Sequence, residues 1–158
     1  MSGQAAGSCA NPPSLPGYRT EVIQEWIDYN GHLSEPYYVL VFGFATDAAM
    51  ESLGLGPDYR QRHRCSLYTV EAHVRYLHEV GLGAELDVST EVIGVAEKKL
   101  RLAHTMRSVG QVVATEEILG IHVDQAGGGA VPLPDNVRAA AGEMLTGPPS
   151  WAGRRVQV

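Results

Sequence analysis

From Ser66 to Asp124 the chain alternates apolar and polar positions in four successive runs, the pattern of strands that bury one face. Ser66 to Tyr76 sets Tyr68, Val70, Ala72, Val74 and Tyr76 against Thr69, Glu71, His73 and Arg75. Glu85 to Val95 sets Leu86, Val88, Thr90 and Val92 against Glu85, Asp87, Ser89 and Glu91, and Lys98 to Ser108 sets Leu100, Leu102 and Met106 against Lys99, Arg101, Thr105 and Arg107. Gln111 to Asp124 is longer, and its alternation breaks near Glu116-Glu117, where a bulge is expected. Gly81-Leu82-Gly83, Ala96-Glu97 and Val109-Gly110 read as short hairpin-like links, so the four runs are expected to form an antiparallel meander. An earlier alternating run, Tyr18 to Ile27, predicts a first strand whose end delivers Asp28.

Between these strands lies one long helix candidate, Pro36 to Leu53. Proline suits a helix start and Ser34 a cap, while Thr46, Asp47 and Glu51 make a single narrow polar stripe. The rest of the circumference is apolar, which for a helix means burial on several sides. Gly43 in its interior costs roughly 1 kcal/mol against alanine, so a close backbone contact is expected there. Gly54-Leu55-Gly56-Pro57 ends the helix, 58–64 reads as a loop, and Asp135 to Leu145 as a short terminal helix. The order β-α-β-β-β-β has a simple solution in which the sheet curls around the helix so that each hides the other's apolar side. This is an α+β class, the hotdog fold: a curved antiparallel sheet wrapped around one long central helix. The open sheet edge is expected to pair with a second copy, giving a homodimer or a dimer of dimers.

At 158 residues the chain fits one domain, placed at 18–145. Residues 1–17, rich in Gly, Ala, Ser and Pro, are expected to be a disordered leader, and 146–158 a loose tail. The formal net charge of -6, with no Lys/Arg cluster, excludes a nucleic-acid footprint. No run approaches the ~20 apolar residues of a membrane span. Cys9 and Cys65 form no C-x-x-C, so neither a zinc knuckle nor a disulfide framework is indicated, and the first sixteen residues lack a secretory signal. A reducing cytoplasm is the expected location.

Chemistry concentrates in Trp26 to Tyr38, where Asp28, Asn30 and His32 arrive at two-residue spacing around Gly31, immediately before the helix. Glycine lets a ligand approach the backbone, and the helix start offers unpaired N–H groups to a developing negative charge, which suits acyl chemistry. Each residue also has a structural reading: Asp28 as a helix cap, Asn30 as a left-handed turn, His32 as a loop hydrogen-bonder. Asp47 and Glu51 are rival carboxylates on the helix. Thr69 and Glu71 lie on the polar face of their strand, which is solvent, interface or pocket. His73, His78 and Glu79 fall on opposite faces and make no metal site, and His104 on its apolar face reads as a hydrogen-bonded core histidine.

The segment Asp28-Tyr29-Asn30-Gly31-His32-Leu33, with Tyr37-Tyr38 and the Glu71 to Tyr76 strand, resembles hotdog acyl-CoA thioesterases of the 4-hydroxybenzoyl-CoA thioesterase type. The pattern W-x-D-Y-N-G-H and the helix's A-T-D-A are closer still to the betainyl-CoA thioesterases of carnitine breakdown, over roughly Val22 to Pro134. The resemblance implies hydrolysis of a small acyl-CoA to free acid and CoA, with no metal or other cofactor. It makes Asp28 the carboxylate that attacks the thioester carbonyl or activates a water to do so, with Asn30 and His32 orienting the reactants. It places Gly31, Tyr29, Tyr37, Tyr38, Tyr68, Thr69, Glu71 and Tyr76 at the substrate, where the tyrosines that line the pocket would cradle a trimethylammonium group. Ser34 stands where many relatives carry a second Asn. A hotdog enoyl-CoA hydratase or dehydratase and a non-catalytic acyl-CoA-binding module are the alternatives.

Overall fold

The computed structural model describes residues 13–158; most of the expected leader, with Cys9, lies outside them. Its elements are β1 (Tyr18–Glu21), a 3-10 turn (Gln24–Trp26), α1 (Glu35–Ser52), α2 (Pro57–His63), β2 (Cys65–Tyr76), β3 (Glu85–Val95), β4 (Lys99–Ser108), β5 (Gln111–Asp124), β6 (Gly129–Ala130) and α3 (Asp135–Glu143). The sheet is antiparallel, in the order β1-β3-β4-β5-β2, with β6 extending the ladder on β5. It wraps α1, as the apolar circumference of that helix requires.

Three local expectations are corrected. The first strand stops at Glu21, so a 3-10 turn rather than a strand end delivers Asp28. The polar segment after α1 is a helix, α2, begun by Pro57 and closed by Arg64 in the left-handed conformation. The meander holds only from β3 to β5: β2 pairs with β5 and not with β3, so Gly81-Leu82-Gly83 lies in a crossover to the far side of the sheet.

The interior is continuous along α1. Val41, Phe42 and Ala45 pack on Leu86, Val88 and Met106. One turn further on, Ala49, Met50 and Leu53 pack on Leu100, Leu102 and Ile118, and α3 closes that end with Val137 and Ala141. Leu15 is buried in the same cluster, so the end of the expected leader belongs to the core. Gly120 on β5 leaves room for Leu67, whose side chain would stand 2.7 Å from an added Cβ. Among the described residues no single helix is long and apolar enough to cross a membrane.

Irregularities in the ladders decide which side chains face α1. The β2/β5 register shifts between Thr69 and Glu71, leaving Val70 as an extra residue. Thr69 therefore turns inward with Leu67, and Tyr68 turns outward, the reverse of strict alternation. A second shift, at Met106/Arg107, leaves Val113 extra on β5. The bulge expected at Glu116-Glu117 is absent, because both residues pair in register, Glu116 with Val74 and with His104. The segment after α3 returns across the sheet: Thr146 N–H donates to Val92 O at 2.9 Å, and Gly153 N–H reaches the Glu117 carboxylate.

Candidate active site

The Asp28–His32 loop is closed by main-chain bonds on both sides. Ile27 and Leu33 bridge each other, and Leu33 N–H donates to Val80 O at 2.8 Å. Asp28 N–H donates to His32 O at 3.0 Å, and Gly31 N–H to Asp28 O at 3.0 Å. Gly31 takes φ +80°, so it, and not Asn30, supplies the left-handed residue of the turn. The Asp28 carboxylate folds back on the same turn: Oδ1 accepts the Asn30 N–H at 2.8 Å. His32 Nε2 stands 3.3 Å from Glu79 Oε2 at the surface. Asp28, Asn30 and His32 thus share one tight loop that runs directly into α1, with Ser34 in the N-cap position but its hydroxyl unbonded to the helix. Tyr29 at the loop tip is 97% exposed.

A groove of about 630 Å³ runs along the outer face of α1 against the inner face of β2 and β5. Pro36, Val39, Gly43, Thr69, Ala72 and Glu116 are among its walls, and Asp47 lines its exposed side. Apart from its neighbours and the nearby backbone of α1 itself, no described atom lies within 4 Å of a Cβ built on Gly43, so the close contact expected there is not found among the described residues; the glycine opens the groove instead. Glu116, 4% exposed, sits on the floor. Burial pushes its carboxyl up to about 7. Its neighbour His104, whose Nε2 is 3.9 Å away, is fully buried, with that nitrogen 3.0 Å from Thr46 Oγ1 and Nδ1 2.9 Å from Thr90 Oγ1. Burial lowers the imidazole to about 4, so it is neutral, the hydrogen-bonded core histidine its place in the sequence indicates.

A smaller cleft of about 240 Å³ opens at the start of α1, lined by Leu33, Glu35, Tyr38, Tyr76, His78 and Glu79. Tyr76 meets Tyr38 edge to face, with centroids 5.4 Å apart. Tyr38 donates to His78 O at 3.2 Å and Tyr76 to Glu35 Oε1 at 3.3 Å. Burial first, and then the Glu35 carboxylate, push Tyr76 up to about 12, with Glu116 adding to the same effect.

The expected tyrosine cluster is not assembled in the protomer. Tyr37 stacks on Trp26 at 5.7 Å, Tyr68 faces outward where it accepts from the Gln125 amide at 3.2 Å, and Tyr29 points into solvent. Glu71 is also on the outer face, beside His73, Arg101 and Glu117. Thr69 is the polar-face residue that the Val70 bulge carries into the groove. Glu35, Glu79 and Glu116 were not singled out from the sequence as site residues. For Glu116 the signal was present: a charge at an inward-facing position between Ala114 and Ile118.

Residues 22–141 match the thioesterase-like superfamily. The chain belongs to that superfamily. Its sequence is 40% identical over 127 residues to the betainyl-CoA thioesterase of Pseudomonas aeruginosa, covering 79% of this chain and 80% of that protein. It is 46% identical over 110 residues to the L-carnitine dehydrogenase/betainyl-CoA thioesterase of Agrobacterium fabrum, covering 69% of this chain and 22% of that longer protein. SAV2348 of Staphylococcus aureus, solved in complex with CoA, superposes with a TM-score of 0.87 at 23% identity, covering 96% of this chain and 99% of that one, and shares the fold. As a hotdog thioesterase, this protein has its thioester chemistry to explain from the loop and groove described above.

Proposed function

We propose that this thioesterase hydrolyses betainyl-CoA to betaine and CoA, with the Asp28 carboxylate as the reacting group. The observation that carries the reading is the closed turn that fixes Asp28 at the entrance to α1. With Oδ1 engaged by the Asn30 N–H, Oδ2 is left to attack the thioester carbonyl or to take a proton from a water that attacks it. The C–S bond then breaks, CoA leaves as a thiolate and takes up a proton, and water supplies the acid oxygen. The positive end of the 18-residue helix α1 faces the charge that develops on the carbonyl oxygen. His32, held by Glu79, and Asn30 orient the reactants. The substrate assignment is supported by the similarity to the two betainyl-CoA thioesterase proteins.

The same reading includes a homodimer. β2 is a sheet edge of 12 residues, with Val70 53% exposed, and α1 beside it presents Val39, Leu40 and Phe44 to solvent. A two-fold axis through that edge pairs the two β2 strands, sets the α1 helices side by side and antiparallel, and roofs the groove. A dimer of dimers and a cytoplasmic location, where CoA esters are turned over, complete the proposal.

Thiol release from a panel of acyl-CoA esters tests it. Betainyl-CoA is expected to be the best substrate, with release of one thiol per acid formed. Loss of enoyl absorbance from an enoyl-CoA without thiol release would favour a hydratase instead, and tight acyl-CoA binding without turnover a binding module.

A further inference from the structure

Glu116 has an environment that the hydrolytic reaction does not explain. It lies on the floor of the α1 groove, almost fully buried, and among the described residues its carboxylate makes no hydrogen bond. The nearest ring nitrogen, His104 Nε2 at 3.9 Å, is already committed to Thr46, and the other to Thr90. The described residues thus supply this carboxylate with neither a cation nor a committed donor. An acid of that kind is costly to ionise in place, and a cation from outside the chain that reached it in the groove would offset that cost.

The walls state what that partner must be. Around Glu116 the groove is formed by Val39, Leu40, Ala72 and Ile118, with the Thr46 and Thr69 hydroxyls as its neutral polar groups and the exposed Asp47 as a second carboxylate at its solvent side. A primary ammonium would need three acceptors in such a place. A quaternary ammonium has no N–H to satisfy: its methyl groups want apolar contact and its charge wants one carboxylate. The groove offers both.

We infer that Glu116 recognises the quaternary ammonium of the acyl group, so that this enzyme selects a cationic acyl chain over a neutral one of the same shape. This rests on the thioesterase reading above and names the residue that sets its substrate class. The role stands beside the expected tyrosine cluster, which the single protomer does not assemble.

The test compares betainyl-CoA with 3,3-dimethylbutyryl-CoA, in which carbon replaces the ammonium nitrogen. Wild type is expected to favour betainyl-CoA, and the ratio of kcat/KM for the two is expected to fall on the order of 10²-fold in Glu116→Gln, the scale of losing one partner of a desolvated charge pair. Glu116→Met, which suits an apolar site, is expected to do the same, so that a folding defect in one variant leaves the other to decide, and Glu116→Asp is expected to restore part of the preference. Equal kcat/KM for the two esters in wild type, or an unchanged ratio in the folded neutral variants, would overturn the role of Glu116 while leaving thioester hydrolysis intact. Failure of wild type to release thiol from either ester would overturn the hydrolytic reading itself, and this inference with it.

Discussion

The Asp28 carboxylate accepts the Asn30 main-chain N–H at 2.8 Å, so the residue at the mouth of α1 builds its own loop as well as carrying the proposed reacting group. These two duties separate by substitution. Asp28→Asn keeps an oxygen that can accept the Asn30 N–H and removes only the charge, whereas Asp28→Ala removes both. Urea denaturation is expected to find the Asn variant within about 0.5 kcal/mol of wild type and the Ala variant about 1 kcal/mol lower, the usual cost of a lost capping-type bond. Equal stability of Ala and wild type would show that the turn does not depend on this carboxylate.

Gly43 lines the groove with open space above it. Gly43→Leu replaces the weakest helix former but proline with a strong one and fills the cavity. The variant is expected to fold with an unchanged or raised Tm and to lose at least tenfold in kcat/KM, read by thiol release and circular dichroism together. Full activity would place the acyl group elsewhere.

Glu116 and His104 pull stability in opposite directions with pH. Glu116 is raised from 4.5 to about 7, so its contribution is full below 4.5 and is lost as pH rises through 7. His104 is lowered from 6.5 to about 4, so its contribution is full above 6.5 and is lost as pH falls through 4. Between about 4.5 and 6.5 the two slopes offset each other and wild-type stability changes little on their account. Glu116→Gln removes one slope: the variant is expected to gain on wild type from pH 4.5 upward, by on the order of 3 kcal/mol at pH 8. Parallel curves across that range in chemical denaturation would contradict the burial of an ionising Glu116.

Leu40 sits on the exposed face of α1, 40% accessible, beside the open β2 edge. Sedimentation is expected to find wild type at twice the 17.0 kDa of the chain, or at four times. Leu40→Glu places two charges against each other across the axis and is expected to yield monomer with far lower activity. A monomeric and fully active wild type would remove the dimer from the account.

Where local chemistry decides structure, the sequence was readable. The apolar circumference of α1 announced a wrapped helix, each main strand announced itself by alternation, and His104 announced a paired core histidine. What escaped depended on partners distant in sequence. The bulge at Val70 was silent because an apolar residue inserted into an alternating run leaves the run looking regular, yet it exchanges the faces of Tyr68 and Thr69. Glu116 is visible in the sequence as an irregularity that looks like a break in the strand, although it is in register and its charge is what departs from the pattern. The Gly81-Leu82-Gly83 link resembles a hairpin turn, but pairing of β2 with β5 is settled by which strand edges are free after the sheet curls, and no local signal carries that.

The central claim is that the Asp28 carboxylate acts on the thioester carbonyl. Its most direct test is kcat for thiol release from betainyl-CoA by wild type and by Asp28→Asn, with folding and oligomeric state matched. A fall of on the order of 10² or more in kcat with little change in stability is the expected result, since the charge is lost and the loop is kept. An Asp28→Asn enzyme that turns over at the wild-type rate would contradict the claim and move the chemistry to a carboxylate of the α1 groove, Asp47 or Glu116.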